Sequence, residues 1–275
     1  MGMKYTIRQF QADFSTEDVC LEYVFKKRFP EATQCYRVKG RKCWANPAGE
    51  QIHPLAGTIF EKSSTPLTLW FYSIFLFSQA KNGVAAKELQ RQLGVTYKTA
   101  WRMARQIRKL MSDDGEPLTG EVEVDETYIG GKAINNMRKK NVTIKDKEVL
   151  FGMVERGGRV KTKHLISNGS RLIIPQIEKN IEPKSTIYSD SYRAYDTLTR
   201  RGYSHSSVNH QEHFVVELTH TNTIEGFWSQ LKRSINGTYH HVSAKHLQLY
   251  ADEFAFRYSL RKSPYAIFDL LLARV

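Results

Sequence analysis

Cysteine is scarce in this chain. Its 275 residues hold three, Cys20, Cys35 and Cys43, all within the first 43 positions. Three thiols cannot pair fully, which argues against a disulfide scaffold and for a reducing compartment. Long apolar runs are missing as well. The longest, Leu67 to Phe77, falls short of the roughly 20 residues needed to cross a bilayer. Met1 to Phe10 has no apolar core of the signal-peptide kind. No internal repeat or low-complexity tract is present. These gaps exclude a disulfide-rich secreted module and a membrane-spanning protein, and a cytoplasmic location is expected. Acidic residues are also in short supply: 28 Asp and Glu stand against 41 Lys and Arg, a net charge of +13. A basic surplus of this size suits a polyanion, because each phosphate neutralised releases a counterion. Nucleic acid and an anionic membrane surface both qualify, and so does a basic enzyme with neither partner.

Four zones emerge along the chain. Residues 1–57 carry a short helix near Glu17–Phe29 and then a compact, strand-like stretch from Gln34 to Gly57. Residues 58–112 read as helical throughout. A polar break, Asp113-Asp114-Gly115-Glu116-Pro117, marks a linker over 113–119. Residues 120–275 alternate strands and helices. The second zone has the pattern of a helix-turn-helix. Val84–Leu93 is amphipathic, Gly94 suits a turn of positive φ, and Thr96 caps a second helix running to Met111. That helix turns Ala100, Met103, Ala104, Ile107 and Leu110 inward and leaves Tyr97, Lys98, Arg102 and Arg105 for a DNA groove or backbone. A helical hairpin with solvated basic residues would show the same pattern. In the first zone Cys35 and Cys43 flank a basic hairpin, but neither has a CxxC partner. With His53 the potential ligands still fall short of four, so structural zinc is not expected.

The last zone carries the chemistry. Glu121 to Ile129 alternates polar and apolar as a half-buried strand does, so Glu121, Glu123 and Asp125 share one face. Strands at Val149–Glu155 and Val160–Ile166 follow, joined at Gly157-Gly158, and then a helix at Arg171–Asn180. Ser185–Asp190 is a short strand ending in Asp190, and a helix over Tyr192–Arg200 is expected after it. In Asn222–Arg233, Ile224, Phe227, Trp228 and Leu231, continued by Ile235, form an apolar stripe. Asn222, Glu225, Ser229 and Lys232 form a polar one. One acid on a strand, one at a neighbouring strand end and one on a covering helix can converge. Such a donor set suits two Mg²⁺ or Mn²⁺ ions roughly 4 Å apart, which activate an oxygen nucleophile and stabilise a leaving oxygen at phosphorus. Lys232 would then hold a phosphate nearby. Any one of these acids alone is more commonly a solvated surface carboxylate.

Several stretches carry a resemblance. They are Gly57–Phe60, Leu93–Met103, Val124-Asp125-Glu126-Thr127-Tyr128-Ile129-Gly130-Gly131, Asn222–Trp228, His240-His241-Val242-Ser243 and Glu253–Tyr258. In these the chain resembles the DDE transposases of bacterial insertion sequences, in particular those with a zinc-ribbon-like N-terminus and a helix-turn-helix. The resemblance covers nearly the whole chain. It implies an α/β fold: a ribonuclease-H-like mixed sheet flanked by helices, preceded by a mostly helical region. It implies Asp125 and Asp190 as the first two catalytic acids. Glu225 lies thirty-five residues after Asp190 and Lys232 seven further on, both familiar spacings in that superfamily. Some members use an asparagine as the third residue, so Asn222 stands beside Glu225 for that role. The zinc ribbon is the departure, since most of its cysteines are absent.

The expected activity is metal-dependent cleavage and strand transfer at terminal inverted repeats, with double-stranded DNA as both substrate and target. A homodimer is expected because two ends must be joined in one complex. A non-catalytic DNA-binding regulator on the same scaffold, or a nuclease without strand transfer, would share much of this sequence. The basic stretch Lys132–Lys147, with Lys139 and Lys140, follows the first catalytic strand and suits a loop over DNA. Arg233 on the Glu225 helix is a further candidate for DNA binding. His210, His213, His220, His240 and His241 lack metal-site spacing, and phosphate contact or packing fits them better. Lys245–Tyr258 and Tyr265–Ala273 read as helices covering the core, with Arg257 and Arg261 expected to be free for DNA.

Overall fold

The structure, a computed structural model, describes residues 5–30, 34–38, 41–45, 51–112, 115–130, 147–190, 193–195, 197–208 and 220–275. In chain order the elements are α1 (Ile7–Asp13), α2 (Glu17–Arg28), β1 (Gln34–Val38), β2 (Arg41–Ala45), β3 (Gln51–Ile52), α3 (Leu67–Gln79), α4 (Ala86–Leu93) and α5 (Tyr97–Lys109). Then come β4 (Glu121–Ile129), β5 (Glu148–Glu155), β6 (Val160–Leu165), α6 (Ser170–Asn180), β7 (Thr186–Asp190), β8 (Ser204–Val208), α7 (Asn222–Ser234), α8 (Ala244–Ser259) and α9 (Ile267–Ala273). Among the described residues no helix is long and apolar enough to cross a membrane. The chain divides into two compact units, Met1–Leu110 with Ser263–Val275, and Met111–Lys262.

The first unit is held by aromatic packing. Phe10 of α1 and Phe14 at its C-terminal cap meet Phe75 and Phe71 of α3, and Phe268 of α9 lies 5.9 Å from each of the first two rings. Tyr5 stacks on Phe268 at 5.1 Å, and Arg274 donates to the Leu110 carbonyl at 2.9 Å. The C-terminal residues therefore complete the N-terminal unit, whereas their amphipathic pattern alone assigned them to the sheet-bearing zone. Burial of Ile267, Phe268, Leu271 and Leu272 is the physical reason. Helices α4 and α5 are joined through Gly94, at φ 64°, and Thr96, whose hydroxyl accepts the Thr99 N–H at 3.2 Å. The expected inward set of α5 is buried: Ala100, Met103, Ala104, Ile107 and Leu110. Arg108 joins it, donating to the Val84 carbonyl at 3.2 Å and lying over the Phe77 ring. In the small antiparallel sheet β1-β2-β3, Cys35 pairs with Trp44 and Cys43 with Tyr36.

The second unit is a five-stranded mixed sheet in the order β6-β5-β4-β7-β8. Strands β4, β5 and β6 pair antiparallel, while β4, β7 and β8 run parallel. This is a ribonuclease-H-like sheet flanked by helices. One face packs Val122, Val124, Phe151 and Ile187 against Ile173, Ile174 and Ile177 of α6. The other packs Leu150, Val154 and Val160 against α7 and α8. Two expectations change here. The expected linker 113–119 contains Leu118, which is fully buried and bonded to the Asn180 carbonyl and the Glu182 N–H. The expected helix Tyr192–Arg200 is, over its described residues, two single 3₁₀ turns, Arg193–Tyr195 and Thr199–Arg201. Among the described residues this short crossover between parallel neighbours buries Ala194, Tyr195 and Leu198, and two tight turns suffice for them.

Gly152 on β5 lies opposite Asp125 of β4 and lets α7 approach the sheet. A Cβ there would stand 2.5 Å from Cζ2 of Trp228 and 3.1 Å from Cδ1 of Ile224. Gly152→Ala is expected to cost about 1–3 kcal/mol by overpacking. Urea unfolding checks this, and an unchanged midpoint would show that α7 does not need the close approach.

Candidate active site at the β4–β7 edge

Strand alternation sorts the side chains of β4. Val122 and Val124 enter the core beneath α6, so Glu121, Glu123 and Asp125 face α7. The parallel register pairs Glu121 with Thr186, Val122 with Ile187 and Glu123 with Tyr188. Carried two residues further, the same register sets Asp125 beside Asp190, the last residue of β7.

Glu123 is fully buried and saturated with donors. Its Oε2 accepts the N–H groups of Thr223 at 2.8 Å and Ile224 at 3.0 Å, and its Oε1 accepts the Thr223 hydroxyl at 2.8 Å. Arg156 Nε donates to Oε1 at 2.9 Å, and His220 Nδ1 lies 3.3 Å from it. Helix α7 has no cap from its own N-cap side chain. A carboxylate from a strand a hundred residues earlier satisfies its first free N–H groups instead and faces the positive end of its dipole. Arg156 also holds the His220 carbonyl at 2.9 Å and stacks 3.9 Å from the Tyr188 ring.

With α7 docked, Trp228 Nε1 donates to Asp125 Oδ2 at 3.0 Å. Burial pushes the Asp125 carboxyl up to about 6, and the charges of Asp190 and Glu225 add to the shift against the opposing hydrogen bonds from the Glu126 backbone and Trp228. Burial likewise pushes Glu126 up to about 8; the Tyr195 hydroxyl beside it opposes the shift, and Asp125 and Asp190 reinforce it. Glu225 is exposed in the first turn of α7 and accepts the Thr221 hydroxyl at 3.0 Å. Asn222 is exposed one turn earlier; Lys232 and Arg233 are exposed about two turns later.

The structure thus brings Asp190 and Glu225 within electrostatic range of Asp125. Among the described residues, however, no three His, Cys, Asp or Glu side chains converge closely enough to hold a metal. The donor chemistry fits a divalent cation best at Asp125 and Asp190: hard oxygen ligands, with the charge of Asp190 adding to the cost of ionising buried Asp125. Glu225 stands at the solvent side of that pair.

The residues expected at DNA divide. Tyr97 and Lys98 are exposed, with Lys87 Nζ 5.0 Å from the Tyr97 ring centre. Arg102 instead donates to Ser63 at 2.9 Å and lies over Trp70, inside its own unit. Arg105 is half-buried. Arg257 and Arg261, expected to be free for DNA, are committed within the second unit, Arg257 to Glu253 and Arg261 to the Gly158 and Tyr258 carbonyls. Lys139, Lys140, His210 and His213 lie outside the described residues. Sequence reasoning missed the roles of Glu123, Arg156, Glu126 and Tyr195. The period-two pattern did place Glu123 on the face of Asp125, but nothing local marked it as a helix anchor.

Two outcomes follow. Removing one partner from a buried charged network leaves the others unpaired, so Glu123→Gln is expected to destabilise the second unit by about 3 kcal/mol in urea unfolding. A loss under about 1 kcal/mol would mean that α7 docks without it. The folded values of Asp125 and Glu126, about 6 and about 8, lie above their ordinary 3.8 and 4.5. The folded chain therefore holds protons that the unfolded chain has released, and stability falls as pH rises through this window. The melting temperature of Asp125→Asn/Glu126→Gln should gain on that of the unsubstituted protein between pH 4 and pH 8; a constant difference would contradict the assigned burial.

Residues 117–259 match the ISXO2-like transposase domain. A protein in transposable element ISH50 of Halobacterium salinarum is 25% identical over 226 residues, covering 76% of this chain and 75% of that protein. A transposase-like protein of Haemophilus influenzae is 31% identical over 90 residues, 33% of this chain and 72% of its own length. Among solved structures, a simian T-cell lymphotropic virus intasome in complex with PP2A regulatory subunit B56 gamma matches with a TM-score of 0.32 and 14% identity, over 66% of this chain and 67% of that one. On the family match, which spans more than half of its length, the chain belongs to the ISXO2-like transposase domain family.

Proposed function

We propose that this insertion-sequence transposase binds the terminal inverted repeats of its element, cuts them in a divalent-metal-dependent reaction and joins the freed ends to target DNA. One observation carries the reading: Asp125 and Asp190 stand side by side on parallel strands, beneath a helix that bears Glu225 and Lys232. Asp125, Asp190 and Glu225 would hold two Mg²⁺ or Mn²⁺ ions, which supply charge stabilisation to the attacking and leaving oxygens. Trp228 orients Asp125 through its indole N–H, and Glu123 positions Glu225 by fixing the start of α7. Lys232 holds the scissile phosphate from the same helix. In the first step a water oxygen bonds to phosphorus at the element end and the bridging 3′ oxygen leaves, taking a proton. In the second step that 3′ hydroxyl bonds to a target phosphorus, loses its proton and displaces the target's 3′ oxygen.

Helix α5, with Tyr97 and Lys98 exposed at its N-terminal turn, fits the recognition role in a helix-turn-helix. Arg102 supports that helix from within, and Arg105, Lys139, Lys140 and Arg233 remain candidates for phosphate binding. A dimer would bring two ends together.

Duplex DNA carrying the element's own ends, incubated with Mg²⁺ or Mn²⁺, should be nicked and then joined to target. Asp125→Asn and Asp190→Asn are expected to lower the rate at least about 1,000-fold while leaving binding intact. Glu225→Gln should match them, and Asn222→Ala should cost less than about tenfold. The reverse order would give the third position to Asn222. Binding without nicking under either metal would favour a DNA-binding regulator, and nicking without joining would favour a nuclease.

A further inference from the structure

After α7 the chain makes a single π-type turn, Ile235–Tyr239, and then a tighter one. His240 adopts φ 60° and ψ −41°, and the His241 N–H closes onto the Tyr239 carbonyl at 2.7 Å. This is a γ-turn of positive φ, a rare and strained conformation for a residue with a Cβ. Buried side chains hold it. The Tyr239 hydroxyl donates to Glu253 Oε2 at 3.0 Å, and Arg257 grips the other oxygen of Glu253 through Nε at 3.1 Å and Nη2 at 2.7 Å. The Tyr239 ring packs 4.7 Å from Tyr250.

Exposed basic residues flank this turn in the chain. Lys232, Arg233, His240, His241 and Lys245 are all exposed, and none of these side chains has a hydrogen-bond or ion-pair partner among the described residues. Residues 226–251 contain no Asp or Glu. Lys232 and Arg233 close α7, Lys245 opens α8, and the strained turn presents the two histidines between them. A turn fixed at a conformational cost, bearing two histidines between basic residues and following the helix of Glu225, matches a polyanionic backbone.

We propose that His240, His241 and Lys245 form a DNA-phosphate binding surface continuous with Lys232 and Arg233, holding the strand that runs past the acidic site. The surface rests on the transposase reading only for the identity of its polyanion. Lys232 and Arg233 grip the backbone near the carboxylates, and the turn extends the grip beyond α7. The imidazole N–H groups donate to phosphate oxygens without adding permanent repulsion beside the neighbouring lysine and arginine.

Salt titration of binding to a duplex of arbitrary sequence tests this, because the slope of log affinity against log salt falls by about 0.9 for each phosphate no longer neutralised. Lys245→Gln should lower the slope by that amount. His240→Gly with His241→Ala should weaken binding about tenfold, as removal of charge-assisted hydrogen bonds does, while relieving the φ strain so that melting is not lowered. Lys179→Gln, the same charge change on α6 across the sheet, should leave the slope unchanged. Equal slopes for the unsubstituted chain and Lys245→Gln, or equal reductions for Lys245→Gln and Lys179→Gln, would overturn the proposal. Failure of the catalytic reading is read separately: Asp190→Asn keeps its binding and slope whether or not any DNA is cut.

Discussion

The acid site depends on one buried carboxylate that does no chemistry of its own. Glu123 lies on the central strand with no exposure and gathers two backbone N–H groups and a hydroxyl from the start of α7, a guanidinium from β5's end and an imidazole. Such a group is costly to bury unless every lone pair is met, and here the donors come from two separate parts of the chain, Arg156 and His220–Ile224. The satisfied network therefore accepts one placement of α7 on the sheet. That placement aims Trp228 at Asp125, requires glycine at position 152, and sets the distance from the strands to Glu225.

Around that anchor the charges are segregated. Asp125 and Glu126 sit mid-strand, where burial disfavours their charge, close to Asp190 at the end of β7, while exposed basic residues lie on α7 and around the turn beyond it. A site that neutralised its own acids would have nothing left for a cation. One that mixed lysines among the acids would lose both the metal and the phosphate. On α7, Glu225 and Lys232 share one polar stripe two turns apart, so the same helix offers an oxygen donor beside the acids and a cation for a neighbouring phosphate.

The first unit follows a different constraint. Its core is aromatic, and one of the central rings, Phe268, arrives from the far end of the chain. Its helix α5 commits Arg102 and Arg108 to internal partners, so basic residues within a helix that reads as DNA-facing are not all free for DNA. Arginine stems cover apolar surface well, and their guanidinium groups find carbonyls and rings when half-buried.

Much of the fold was legible from periodicity. The alternation of β4, the apolar stripe of α7, the Gly94–Thr96 turn and the hairpin at Gly157 are local patterns, and each falls where the residue order put it. Strand β8 left no such mark, because Ser204–Val208 is a polar edge strand with one neighbour. The crossover before it read as a helix because burial of Ala194, Tyr195 and Leu198 mimics helical spacing. Residue order alone settled which residues carry oxygen donors, on which element each sits and toward which face it points, since those follow from the backbone repeat. The folded chain was needed to learn that Asp125 lies next to Asp190, that Glu123 anchors a helix, that Trp228 bonds to Asp125 and that the last helix belongs with the first. Each of these joins residues far apart in the chain, and no local repeat encodes the strand register and side-chain packing that bring them together.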